Sequence, residues 1–305
     1  MKLVITGASG PFGYNTTKGL LERGVRAEDL ILISRNPDKL SAFADLGATI
    51  RQGDFDDHDS LLTAFAGGEK MLMISTNRVG QREPQHRNAV NAARQAGIRH
   101  IVYTSFVGRP ENDDSIAVHD HRFTENLLRQ SGMRWTFLRN SQYLEAMRDA
   151  AAPAALKSGQ WLSATGDGRI AMISREDCIR AAVAVMGTDG HEDETYDITG
   201  PELITYRELC ELVAELADRP IAYKAVSADE MYAFFDSLGI PRTARDDHVV
   251  GGYGWCSEDM VSFETMLKNG GFAILSDDLE NLTGRKAESP RAYLSRYRDR
   301  LTGPE

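Results

Sequence analysis

Little in this chain suggests covalent or metal scaffolding. Its 305 residues include three cysteines, Cys178, Cys210 and Cys256, with no C-x-x-C pair. A set this sparse and odd argues against a disulfide framework or a cysteine-rich zinc site. Long apolar runs are missing too, since none approaches the ~18 residues that a membrane span needs. The run after Met1 is too short for a signal peptide. Basic excess is also absent: Lys and Arg total 35 against 45 Asp and Glu, a formal net charge of −10. A nucleic-acid binder would need a basic face, so that partner is not expected. These absences fit a soluble protein of the reducing cytoplasm, with neither membrane nor nucleic acid as partner.

What is present is an alternation of apolar runs and helix-type stretches. Strands are expected at Leu3–Thr6, Leu30–Ser34, Ala48–Gln52, Lys70–Ser75, His100–Ser105 and Trp135–Arg139. Helices are expected from Asn15 to Arg23 and from Gln85 to Gln95. Most of these strands are continuously apolar, as a parallel sheet covered on both faces requires. The alternation predicts an α/β, Rossmann-type, doubly wound parallel sheet. Beyond residue 140 the rhythm changes. Tyr206–Leu216 and Asp229–Ser237 read as helices and Thr195–Ile198 as a short strand. Residues 251–254 and 269–271 are glycine-rich loops. Residues 1–150 are thus expected to form the nucleotide-binding domain. Residues 151–305 would form a smaller mixed substrate-binding region that covers the crevice and is not independent.

The strongest motif is Thr6-Gly7-Ala8-Ser9-Gly10-Pro11-Phe12-Gly13, set directly after a strand and before a helix. Gly7 permits the sharp turn, Gly10 a close approach to pyrophosphate, and Gly13 tight helix–sheet packing. The helix start then offers N–H groups and a positive dipole end to phosphate. Ser34-Arg35 ends the second strand, where an NAD site commonly carries Asp or Glu. Arg35, with Lys39 nearby, suits a 2′-phosphate instead, so NADP(H) is the expected cofactor. Asp54 and Phe55, after the third strand, would flank the adenine, or Asp54 would cap the next helix.

Further stretches carry a family resemblance. They are Val79-Gly80-Gln81-Arg82-Glu83-Pro84-Gln85-His86-Arg87-Asn88, Tyr103-Thr104-Ser105, His121-Arg122-Phe123-Thr124-Glu125 and Phe137-Leu138-Arg139-Asn140. Later come Ala152–Leu156, Gly166-Asp167-Gly168 and Leu282–Arg285. With the turn Thr6–Gly13, this set resembles the NmrA-like, atypical group of short-chain dehydrogenases/reductases. Within it, the chain is similar to the bacterial NAD(P)H:quinone oxidoreductase and triphenylmethane reductase types. The resemblance implies flavin-free hydride transfer from NADPH to a quinone or similar aromatic acceptor. It places Ser9, Gly10, Pro11 and Phe12 on the pyrophosphate and Arg35 on the 2′-phosphate. Ser75, Thr76 and Asn77 would border the nicotinamide-side ribose. Thr104, Ser105, His121, Asn140 and Tyr143 would surround the nicotinamide and acceptor. Residues 241–276 match little and are longer than usual for the group, so they bear on the acceptor.

Typical members of the wider superfamily use Tyr-x-x-x-Lys as a proton donor. Here that pattern occurs only as Tyr14–Lys18, on the first helix, out of reach of a substrate. His121 stands on the helix after the fifth strand, four residues before Glu125. That spacing would let the carboxylate orient the imidazole, which would relay a proton, hold the ribose, or form a structural pair. His119 and His121 do not share a helical face, so no metal site is expected. Asn140 and Tyr143 would bond the nicotinamide or acceptor, or serve as a helix cap and a core ring. Phe106, Trp161, Tyr253 and Trp255 are candidate pocket walls. Beside the reductase stand two alternatives: an NADP(H)-binding redox sensor without turnover, or a reductase of a dye, enone or aryl ether. A homodimer is left open.

Overall fold

The computed structural model describes residues 1–109, 115–245 and 256–302. Its strands are β1 (Leu3–Ile5), β2 (Leu30–Ser34), β3 (Thr49–Gln52), β4 (Lys70–Met73), β5 (His100–Phe106) and β6 (Arg134–Asn140). Five more follow: β7 (Gln160–Ser163), β8 (Arg169–Ile170), β9 (Glu194–Ile198), β10 (Ile204–Thr205) and β11 (Ala222–Ala225). Seven of these form one parallel sheet in the order β3-β2-β1-β4-β5-β6-β9. The expected Rossmann-type fold is what the chain adopts. Successive strands run outward on opposite sides of β1, so a crevice opens between the carboxyl ends of β1 and β4.

The helices named below are α1 (Pro11–Glu22), α2 (Ser41–Ala44), α3 (His58–Phe65), α4 (Arg82–Gln95), α5 (Ile116–Arg129) and α6 (Leu144–Ala146). They continue with α7 (Ala152–Ser158), α8 (Arg175–Gly187), α9 (Tyr206–Ala217), α10 (Ala228–Ser237), α11 (Ser257–Lys268) and α12 (Asp278–Thr283). Alternate strand residues explain the apolar runs. Leu3, Ile5, Leu30, Leu32, Leu72 and Val102 pack under α1, α8 and α12. Val4, Ile31, Ile33, Met71, Met73 and Tyr103 pack under α3, α4 and α5. Each large side chain buried this way contributes roughly 1.5–3 kcal/mol. A third core joins α7, α9 and α11 around Trp161, Tyr206 and Phe272. There β7 pairs with β11 and β8 with β10.

Two elements differ from the sequence reading. The first helix begins at Pro11 rather than Asn15, because Pro11 occupies its first turn. Proline suits that position, having no N–H to leave unpaired and a preset φ. The strand near residue 195 is not a peripheral piece. It is β9, paired in parallel along β6 from Thr136 to Asn140 as the seventh strand of the main sheet. Among the described residues, no helix is long and apolar enough to cross a membrane.

Candidate active site

The glycine turn sits at the carboxyl end of β1. Gly7 has φ +58°, a left-handed conformation that side chains disfavour. A Cβ on Gly13 would lie 2.6 Å from the Gly7 carbonyl oxygen, so only glycine allows this approach. The start of α1 has no side-chain cap, and its N–H groups are therefore available to an anion. Ser9 Oγ and Ser34 Oγ lie 2.7 Å apart, joining the turn to the end of β2. Arg35 and Lys39 follow, both exposed, and neither forms an ion pair with a described residue. Pro11 is exposed and Phe12 buried. These features fit a pyrophosphate on the turn and a 2′-phosphate beside Arg35.

The loop after β4 is fixed by side chains. Ile74 N–H donates to Thr6 Oγ1 (2.9 Å), Ser75 N–H to Thr104 Oγ1 (2.9 Å) and Thr76 N–H to His86 Nε2 (3.2 Å). Arg82 Nε donates to the Thr76 carbonyl (2.6 Å). Thr76 Oγ1 is buried with no partner, and Asn77 is exposed. In the loop after β3, Asp54 does not cap α3; Asp57 does, accepting from the N–H groups of Asp59 and Ser60. Asp54 instead closes a local turn by accepting from Asp56 N–H (3.1 Å). The Asp54 N–H donates to Ser60 Oγ in the first turn of α3 (3.1 Å). Phe55 is half-buried and meets the His86 ring edge-on, with centroids 6.2 Å apart.

His121 is fully buried, and its partner is not Glu125. Its Nδ1 lies 2.8 Å from Tyr103 Oη and its Nε2 accepts from Arg82 Nη1 at 3.1 Å. Burial, reinforced by the Arg82 charge, holds its pKa well below the usual histidine range. The ring therefore stays neutral near neutral pH, which removes the proton relay among the roles the sequence left open. Glu125 is taken by arginines: Arg139 donates through Nε (2.8 Å) and Nη2 (2.7 Å), and Arg122 through Nη1 (2.8 Å). Ser105 Oγ also donates to it, at 2.7 Å. Burial alone would raise its pKa, but these partners lower it below the usual carboxylate range. Arg129 Nη2 adds a further donor at 3.3 Å, so Glu125 is occupied by three arginines and a serine and makes no hydrogen bond to His121.

Asn140 is the last residue of β6, not a helix cap, because the strand runs one residue further than expected. Its Nδ2 donates to Tyr143 Oη (3.2 Å), while its Oδ1 is buried without a partner. Tyr143 precedes α6 and carries the Arg175 guanidinium over its ring at 5.3 Å. Unpartnered buried acceptors are rare in folded chains, and ribose hydroxyls or a carboxamide would satisfy Asn140 and Thr76. Trp161 is core, 5% exposed, and Tyr253 and Trp255 lie outside the described residues. Tyr14 packs on Phe43 and Lys18 pairs with Glu22, both away from the crevice. Arg82 and His86 appeared in the sequence only as motif letters. The signal available was a pair of polar residues at helical i, i+4 spacing directly after the β4 loop.

A family model described as NAD(P)H-binding matches residues 7–189. The chain is 38% identical over 244 residues to quinone oxidoreductase 2 of Escherichia coli, covering 80% of this chain and 84% of that protein. It is 31% identical over 300 residues to an NmrA-like family domain-containing oxidoreductase of Aspergillus flavus, covering 95% and 93%. The crystal structure of the Escherichia coli quinone oxidoreductase complexed with NADPH matches with a TM-score of 0.86 at 33% identity, covering 97% of this chain and 100% of that one. Triphenylmethane reductase of Citrobacter, complexed with NADP(H), matches with a TM-score of 0.81 at 29% identity, covering 98% and 100%. Fold, crevice and relatives together define an oxidoreductase with NADP(H) as its cofactor. The chain belongs to the NAD(P)H-binding family, as an NmrA-like, atypical short-chain dehydrogenase/reductase.

Proposed function

We propose that this enzyme passes a hydride from NADPH directly, without flavin, to a quinone or similar aromatic acceptor. The observation that carries the acceptor class is an aromatic wall at the carboxyl end of β5. Phe106 lies nearly parallel to the His121 ring, with centroids 5.9 Å apart. Phe272, wholly buried in the third core, backs Phe106 edge-on at 5.8 Å, and the part-buried Phe263 approaches it at 6.3 Å. Such a wall suits a flat, apolar acceptor better than a charged one. The names of the quinone and triphenylmethane reductase relatives point the same way.

Bound NADPH supplies the hydride. In this reading the glycine turn and Arg35 hold its phosphates, and Ser75, Thr76 and Asn77 border the nicotinamide ribose. Thr104, Asn140 and Tyr143 line the reacting end, and Ser105 supports that end from beneath. A quinone also needs a proton. His121 is not its source, because both ring nitrogens are engaged and the ring stays neutral. Tyr143 Oη accepts from Asn140 Nδ2, which directs the phenolic proton away from Asn140 and suits donation to the acceptor.

The test is loss of reduced-nicotinamide absorbance when purified enzyme, NADPH and simple quinones are mixed without added flavin. Turnover by protein whose visible spectrum shows no flavin is expected. No turnover across quinones, azo dyes and enones would overturn the reading. A requirement for added flavin would overturn direct transfer.

A further inference from the structure

The stretch Arg82–Asn88 opens α4, and its polar side chains are unusually enclosed for a helix start. Arg82 is 8% exposed, Gln85 6% and His86 0%. Such residues are mostly solvated, so their burial needs an explanation. They sit at i, i+3 and i+4 and therefore share one helical face. Each reaches one of two loops in the crevice. Arg82 Nε holds the Thr76 carbonyl and His86 Nε2 the Thr76 N–H. Gln85 Nε2 donates to Asp56 Oδ2 (3.0 Å), and Asn88 Nδ2 donates to the Phe55 carbonyl (3.0 Å). The first two turns of α4 thus grip the loop after β4 with two side chains and the loop after β3 with two others.

The hydrogen bonds also fix where the protons sit. A backbone N–H can only donate, so His86 Nε2 is the bare nitrogen and Nδ1 carries the proton. That Nδ1–H donates to Thr124 Oγ1 (2.7 Å), and Thr124 in turn donates to the Asp120 carbonyl (3.0 Å). Arg82 is likewise donor-only, so His121 Nε2 is bare and its Nδ1–H donates to Tyr103. The grip on Thr76 is therefore anchored in α5 on one side and in β5 on the other.

We propose that Arg82, Gln85, His86 and Asn88 are positioning residues that fix the β3 and β4 loops in one spacing, matched to the length of the bound NADPH. Arg82 and His86 set the nicotinamide-side loop; Gln85 and Asn88 set the adenosine-side loop. The proposal rests on the reading that Asp54 and Phe55 border the adenosine and that residues 75–77 border the nicotinamide ribose. It assigns none of the four a contact with the cofactor.

Two probes separate the halves: NADPH, and 2′,5′-ADP, which carries only the adenosine end. Their Kd values are measured by calorimetry on wild type, His86→Gln, His86→Asn and Asn88→Ala. A glutamine can place an acceptor near the Nε2 position, facing Thr76, whereas asparagine reaches only the Nδ1 position, facing Thr124. His86→Asn should weaken NADPH about fivefold to tenfold, the scale of one lost hydrogen bond, and leave 2′,5′-ADP within about twofold. His86→Gln should restore NADPH to within about threefold of wild type. Asn88→Ala should weaken both probes to a similar degree. Equal effects of His86→Asn and His86→Gln would overturn the proposal, as would loss of melting temperature with both affinities unchanged. If wild type binds NADPH but not 2′,5′-ADP, the placement of the adenosine is what fails.

Discussion

Glu125 and Glu264 are both enclosed carboxyls on helices, and their surroundings push them in opposite directions. Glu125, beneath the crevice on α5, is met by Arg122, Arg129 and Arg139 and titrates below the usual range. Glu264, on α11 in the C-terminal region, faces the Ala164 N–H and the Ser163 hydroxyl. Burial outweighs those two hydrogen bonds and pushes its carboxyl up to about 7. The Glu125 site thus holds more arginine charge than one carboxylate balances, and the Glu264 site holds a carboxyl with no cation beside it.

The contrast is easiest to break at Glu125. Glu125→Ala leaves Arg122 and Arg139 enclosed without their counter-charge. A stability loss of about 3–5 kcal/mol is expected, read by denaturant unfolding. Unchanged stability would show that water enters and that the cluster is not a closed one.

Arg35 tests the same positive charge at the surface. Arg35→Asp replaces a donor with a repelling charge and should weaken NADPH by more than about tenfold while leaving NADH near wild type. Melting temperature should not move, because Arg35 is exposed and unpaired among the described residues. Equal weakening of both cofactors would remove Arg35 from the 2′-phosphate.

Glu264 gives the smallest effect. Its folded pKa lies above the ordinary 4.5, so the folded state holds a proton that the unfolded chain releases. The Glu264 contribution to stability should be full below about pH 4.5 and be lost as pH rises toward 7, by about 1–3 kcal/mol. Glu264→Gln should flatten that part of the pH–stability curve. A slope that persists in the variant would place its origin elsewhere.

Much of the fold was legible because most of the sheet strands have their own apolar signal. β1, β2 and β4 are buried on both faces, and their runs cannot be read as surface. β9 was visible as a strand but not as part of the sheet. It lies at the edge with most of its residues half-exposed, so nothing in Glu194–Ile198 announces a partner 58 residues earlier. The glycine turn was legible for a similar reason, since its place between β1 and α1 follows from local spacing. The partners of His121 were not. Arg82 and Tyr103 reach it across 39 and 18 residues, and the adjacent Glu125 offered a simpler pairing that three arginines pre-empt.

The parallel pairing of β9 on β6 has a consequence for how the chain is made. Until residue 198 has been synthesised, β6 presents an open edge, and Phe137 and Leu138 lie beside unpaired backbone N–H and C=O groups. α8, which covers α1 through Val183 against Gly19, also arrives late. A nascent chain of about 150 residues is therefore adhesive rather than folded, and its capture by chaperones should end once β9 emerges. Ribosome-stalled chains ending before and after β9, compared for protease resistance, would locate that moment.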